Sequence, residues 1–414
     1  MSMKQTTFLP SINPAYSLSS HFERNSILKM AISSQYFSYT IFLLILQMLL
    51  PTILYASNDC RYTSIIAFGN SLTDTGNLKN IDSVFNITPP QYFFPPYGET
   101  FFLKPTGRCS DGRLIIDFLA KGLGLPLIPP YVGSKENGNK TELGQGVNYA
   151  VVGAYALNSS FHEARGVFNS LTNVSLGDEL EWFKISLSSF CTSSSDCKQK
   201  IGHSLFLVGE IGGNDYNMEL VAGKSIKQVK SFVPLVIDKI TATVKELIEL
   251  GGKIFVVPNL LPLECAPLDL TLFKSSDARM YDNTTGCLIS INKIEEYHNQ
   301  LLQRELHKIQ KNYPKVNVIY ADYYNAALQL YRSPKQFGFV QPLRACCGGG
   351  GPYNYNPSAV CGEPSSTVCA HPNTFVNWDE IHLTEAAYRM IYMSVFQGSY
   401  SIPRFSSLCH AITS

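Results

Sequence analysis

Five short apolar runs rich in β-branched residues recur along the chain, at residues 63–68, 147–151, 204–208, 253–257 and 316–321. Runs of this kind predict strands buried on both faces, as in a parallel sheet. Between them, at 113–121, 176–188, 226–250 and 288–311, lie longer amphipathic stretches that predict helices with one buried face. Strand and helix in alternation predict an α/β fold, a three-layer α/β/α architecture with a central parallel sheet of flavodoxin-like winding. No internal repeat, low-complexity tract or Pro/Gly linker divides the chain, so residues 58–414 read as a single domain. Two irregular segments, 89–108 and 341–377, are rich in Pro, Gly, Tyr and Phe. Aromatic loops this long either line an acyl- or ring-binding cleft or pack over the sheet edge.

The polar pattern changes at the N-terminus. Residues 41–50 are large and apolar except for Gln47, Pro51 stops the run, and Ala56 offers a small cleavage position. The run is too short to span a bilayer, which takes about 20 apolar residues, so residues 1–57 read as an N-terminal extension with a secretory signal peptide. Met30 would make a more ordinary start for such a signal, and no stable membrane anchor is expected. The whole chain of 414 residues carries a net charge of +1, and removing residues 1–57 leaves −1. A nearly neutral body gives no reason to expect nucleic-acid or anionic-membrane binding. Sequons at Asn86, Asn139, Asn158, Asn173 and Asn283 suit a glycosylated protein in the secretory pathway, extracellular, in the cell wall or in the vacuole. All eleven cysteines follow the signal, and an exported chain is expected to pair them with one left over. Their spacing suggests Cys191 with Cys197, Cys265 with Cys287, and pairing among Cys346, Cys347, Cys361 and Cys369. No histidine sits at ligand spacing within these clusters, so no metal is expected.

The candidate chemistry begins where the first predicted strand ends, in Phe68-Gly69-Asn70-Ser71-Leu72-Thr73-Asp74-Thr75-Gly76-Asn77. Ser71 stands on a glycine-flanked turn at the edge where parallel sheets bind ligands, although serine is also a common helix cap. A serine hydroxyl becomes a nucleophile only beside a base with an orienting carboxylate. Trp378-Asp379-Glu380-Ile381-His382-Leu383-Thr384 offers both: His382 as general base and then acid, and Asp379 to fix its tautomer, ahead of a helix starting at 384–387. His298 follows Glu295 at the same offset, but on a long polar helix, where the pair reads as a solvated contact. The elbow motif Gly-x-Ser-x-Gly is absent, which disfavours the α/β-hydrolase fold. The glycines at 348–351 lack the Lys-Ser/Thr of a phosphate loop and read as a disulfide-tethered loop.

Two further blocks, Asn148-Tyr149-Ala150-Val151-Val152-Gly153-Ala154 and Gly209-Glu210-Ile211-Gly212-Gly213-Asn214-Asp215-Tyr216, each place glycine or asparagine after an apolar run. The four blocks in this order resemble the GDSL esterase/lipase family, or SGNH hydrolases, over residues 62–396. The resemblance implies a serine esterase that acts on a small-molecule ester through an acyl-enzyme and needs no cofactor. It implies an oxyanion hole built from the backbone N–H groups of Ser71 and Gly153 and the Asn214 amide. The long third block and the Cys346–Asn354 stretch resemble the plant branch that contains acetylajmalan esterase and sinapine esterase. That branch implies a short or aromatic acyl ester of a specialised metabolite such as an alkaloid, and the chain is expected to be a monomer. The family reads Gly-Asp-Ser-Leu where this chain has Gly69-Asn70-Ser71-Leu72. This departure predicts a retuned site and leaves acyl transfer to an alcohol, or a weakly catalytic binding protein, as the alternatives.

Overall fold

The computed structural model describes residues 62–82, 89–133 and 146–410. The signal segment, Cys60 and the sequons at Asn86 and Asn139 lie outside them. Strands β1 (Ser64–Phe68), β2 (Gly146–Asn148), β3 (Ser204–Val208), β4 (Ile254–Pro258) and β5 (Asn317–Ala321) pair in parallel in the order 2-1-3-4-5, as the alternation predicts. A sixth strand, β6 (Ser401–Ile402), runs antiparallel beside β5, so the sheet is mixed and not purely parallel. Two residues are too few to carry an alternation pattern, which is why the sequence gives no sign of β6.

Side chains alternate across the sheet and both faces are dry. Ile66, Phe68, Phe206, Val208, Phe255 and Val257 pack against α2 (Leu176–Phe190), α5 (Val233–Leu250) and α6 (Ile289–Asn312). Ile65, Ala67, Leu205, Leu207 and Val256 pack on the other side against α1 (Ile115–Gly122), α7 (Tyr323–Arg332) and α8 (Glu385–Tyr392). This is the predicted three-layer α/β/α arrangement, and Cys60–Ser414 forms one compact unit. Helix α3 (Gly213–Val221) follows β3 and leads into α4 (Ile226–Ser231). The single helix expected over 226–250 is broken at Phe232 into α4 and α5. Pro234 causes the break, because it has no N–H to continue the ladder and fits only in a first turn.

The irregular segment 341–377 is held by short strand pairs, Gln341–Ala345 with Phe375–Asn377 and Cys347–Gly348 with Thr367–Val368. Disulfides Cys346–Cys369 and Cys347–Cys361 close it around the glycine run, so the glycines are tethered as expected. Among the described residues, Cys191–Cys197 and Cys265–Cys287 are the other pairs, and Cys109 is a buried free thiol. No helix among the described residues is long and apolar enough to cross a membrane, and no group among them could hold a metal ion.

Candidate active site

Three adjacent parallel strands end together, and each delivers one of the sequence-predicted residues to the same edge: Ser71 after β1, Gly153 after β2 and Asn214 after β3. The sheet order reverses between β1 and β3, and in open α/β sheets the crevice at such a reversal is where ligands bind. The chain folds back through Asn70, whose carbonyl accepts from Thr73 N and Asp74 N, and this tight turn lifts Ser71 above the strand end. Asp379 and His382 arrive from the far end of the chain, on the segment that enters α8. The Thr384 hydroxyl caps that helix by accepting from Ala387 N.

His382 Nε2 stands 2.9 Å from Ser71 Oγ, and His382 Nδ1 stands 2.8 Å from Asp379 Oδ2. Nδ1 faces a carboxylate and therefore carries the proton, which leaves Nε2 as an acceptor for the serine hydroxyl. Asp379 is fully buried. Burial works to raise its pKa, but His382 and the N–H groups of Ile381 and His382 overcome that and hold it below the ordinary carboxylate range. It stays ionised and fixes the imidazole in one tautomer.

Asn214 lies in the first turn of α3 and donates one amide hydrogen to Ala154 O at 2.9 Å. Asp215 beside it accepts from Ala156 N and Leu157 N, so α3 and the turn carrying Gly153 are laced together. Asp74 ties the same turn to that of Ser71, because its Oδ2 accepts from Val152 N at 2.9 Å. Gly153 has φ +82°, and a Cβ there would press on Asn169, Leu171 and Thr172 at 3.3 Å. Conformation and close packing both require glycine at this position. Among the described residues, neither the Ser71 nor the Gly153 N–H donates to a backbone carbonyl.

A serine, histidine and aspartate thus stand in hydrogen-bonded line at the switch point of a 2-1-3-4-5 sheet, and residues 65–395 fit the GDSL-like Lipase/Acylhydrolase profile. The chain belongs to this family. It is 48% identical over 366 residues to one GDSL esterase/lipase of Arabidopsis thaliana, covering 88% of this chain and 94% of that protein. To another from the same plant it is 49% identical over 367 residues, covering 88% and 90%. Among solved structures, a mutant of Axe2, an acetyl-xylooligosaccharide esterase from Geobacillus stearmophilus, covers 66% of this chain and 80% of its own at 12% identity. Its TM-score is 0.31, too low to carry an argument. As a GDSL esterase/lipase family member the chain is a carboxylic ester hydrolase.

The candidate site has a surrounding layer that the sequence does not announce. Tyr97 OH donates to Asp379 Oδ2 at 2.8 Å, and Tyr92 packs edge-on to the His382 ring at 5.6 Å. Both come from the irregular segment 89–108. Its aromatic richness was the available signal, and here these two rings pack beneath the site and brace it. Glu179 of α2 accepts from Gly69 N through Oε2, and Glu210 accepts from Asn70 Nδ2, each at 2.9 Å. Burial raises both glutamates above the ordinary range, Glu210 to about 7. Glu179 gave no signal, since it sits in a helix whose other acids are solvated.

His298 requires a correction. The pair with Glu295 was expected to be solvated, yet His298 is completely buried, as is nearly all of Glu295. His298 Nδ1 meets Tyr216 OH at 2.8 Å, and burial lowers its pKa to about 3, so it is a neutral core histidine. The face of α6 that carries it also carries Ile291, Ile294, Leu301 and Leu302 against the sheet. The polar residues that made the helix look solvated occupy the opposite face.

Proposed function

We propose that Ser71 is the nucleophile of a two-step ester hydrolysis. His382 takes the Ser71 proton as Oγ attacks the ester carbonyl, and Asp379 stabilises the imidazolium. The N–H groups of Ser71 and Gly153 and the free amide hydrogen of Asn214 receive the oxyanion. The C–O bond to the alcohol breaks as His382 returns the proton to the leaving oxygen, and water then releases the acid from the acyl-enzyme by the reverse route. The 2.9 Å contact between His382 Nε2 and Ser71 Oγ, backed by Asp379, carries this reading.

The substrate is a short or aromatic acyl ester of a plant specialised metabolite such as an alkaloid. The support is the likeness of the third block and the Cys346–Asn354 stretch to the branch of acetylajmalan and sinapine esterases. The protein is exported and glycosylated, a reading supported by its disulfides and by the exposure of Asn158, Asn173 and Asn283. The test is hydrolysis of p-nitrophenyl acetate and butyrate by the glycosylated protein beside Ser71→Ala. Turnover that disappears in Ser71→Ala is expected. Equal rates in both proteins would sink the assignment, and turnover seen only with an added acceptor alcohol would replace hydrolysis by acyl transfer.

A further inference from the structure

The side chain of Asn70, one residue before the proposed nucleophile, is held from both ends. Its Oδ1 accepts from Leu72 N at 3.0 Å, across the Ser71 turn, and its Nδ2 donates to Glu210 Oε2 at 2.9 Å. The two demands fix the amide orientation, because an N–H must meet an oxygen and a carboxylate must meet a donor. Asn70 is 3% exposed and Glu210 also 3%, so water does not compete for either. Glu210 further accepts from the backbone of Gly213, next to Asn214. The Asn70–Glu210 contact therefore joins the turn of Ser71 to the first turn of α3, where the Asn214 donor sits.

We propose that Glu210 is a positioning residue that aligns Ser71 with Asn214 through the Asn70 amide, and that Asn70 makes this link independent of any titrating proton. The proposal rests on the reading of Ser71 as nucleophile. With asparagine at this position the hydrogen in the contact is covalently part of an amide. An aspartate would set two carboxyl groups at the same separation in a dry site, and the contact would survive only while the two share one proton. Among the described residues, no lysine, arginine or histidine neutralises Glu210. The titratable groups that feel its charge are Tyr216 of α3, Tyr323 of α7 and Tyr388 of α8, while Asp215 of α3 acts on Glu210. None of these described groups could compensate for a second negative charge.

The test is a reciprocal exchange, with p-nitrophenyl butyrate turnover followed from pH 5 to 9. Active molecules are counted by labelling with a serine-directed phosphonate. Glu210 accepts from both Asn70 Nδ2 and the Gly213 backbone, whereas E210Q offers a single acceptor oxygen, so one of the two contacts becomes donor against donor, and kcat is expected to fall roughly 10- to 100-fold with KM little changed, the cost of a slightly misplaced nucleophile. N70D is expected to work at low pH and to lose kcat as pH rises, when the shared proton leaves. N70D/E210Q restores one carboxylate facing one amide, with the sides exchanged, and is expected to recover to within about 3-fold of the unaltered protein with a flat alkaline limb. The decisive comparison is the double variant against E210Q, so it survives a failure of N70D to fold. Independent, multiplicative losses in the double variant, or an alkaline limb in N70D no steeper than in the unaltered protein, would overturn the proposal. Activity that persists in Ser71→Ala would instead overturn the nucleophile reading, a distinct outcome.

Discussion

The Tyr97 hydroxyl is a neighbour through which the proposed orienting carboxylate, Asp379, is held. It donates to the Asp379 oxygen that faces His382, and Asp379 is fully buried. A hydrogen bond to a buried charge contributes about 1.5 to 3 kcal/mol. Tyr97→Phe is therefore expected to lower kcat roughly 10- to 100-fold, with KM nearly unchanged, in p-nitrophenyl butyrate kinetics. An unchanged kcat would mean that the other donors to Asp379 suffice without it. At this scale the sequence reveals the residues proposed to do the chemistry and conceals those that hold them. Ser71, His382 and Asp379 stand in short motifs whose residue types have few other uses in combination. Tyr97 and Glu179 reach the site from 282 and 110 residues away along the chain, from their respective partners Asp379 and Gly69, and no local pattern records such a meeting. The misread His298 has the same origin, because a helix's polar residues do not say how deep its other face lies.

Among the elements, the segment 89–108 owes its position to its end. Arg108 forms a two-pronged bridge to Asp117 of α1, Nε to Oδ2 at 2.9 Å and Nη2 to Oδ1 at 2.8 Å, and both side chains are buried. Asp117 Oδ2 also accepts from Leu114 N, so the bridge fixes the start of α1 as well. Arg108→Ala would leave a buried carboxylate uncompensated, and such losses cost about 3 to 5 kcal/mol. Chemical denaturation should show that loss, and the released segment should carry Tyr92 and Tyr97 away from His382 and Asp379. A midpoint within a few tenths of a kcal/mol of the unaltered protein would refute the anchoring role. The strands and most helices were legible because dry parallel strands must be apolar on both faces and their covering helices on one. The helix break at Phe232 was legible in principle from Pro234, but the apolar periodicity continues through it and masks the break.

Over the whole molecule, buried carboxyl groups set the response to pH. Burial raises Asp111 to about 6, Glu210 to about 7 and Glu380 to about 8, and lifts Asp269 and Glu295 well above the ordinary range. A group raised in the folded state contributes stability that is complete below its unfolded value near 4 and is lost as pH climbs through the folded value. His298, lowered to about 3, acts oppositely and costs stability below its usual 6.5, but it is one group against several. The thermal midpoint is therefore expected to fall between pH 5 and pH 8, by a margin on the order of a few kcal/mol in stability. Calorimetry at those two pH values decides it, and a midpoint that rises with pH would contradict the burial argument. The sheet edges have their own consequence. On one side, Pro129–Tyr131 lies along β2, with Tyr131 N donating to Asn148 O and Asn148 N to Pro129 O. On the other, β6 occupies part of β5 and is followed at once by Pro403, which has no N–H to offer. A neighbouring molecule thus finds little unpaired backbone to zip onto, and the chain can be crowded without being recruited into a growing stack. Removal of residues 400–414 would bare β5, and light scattering should then report aggregation that the full chain resists at the same concentration.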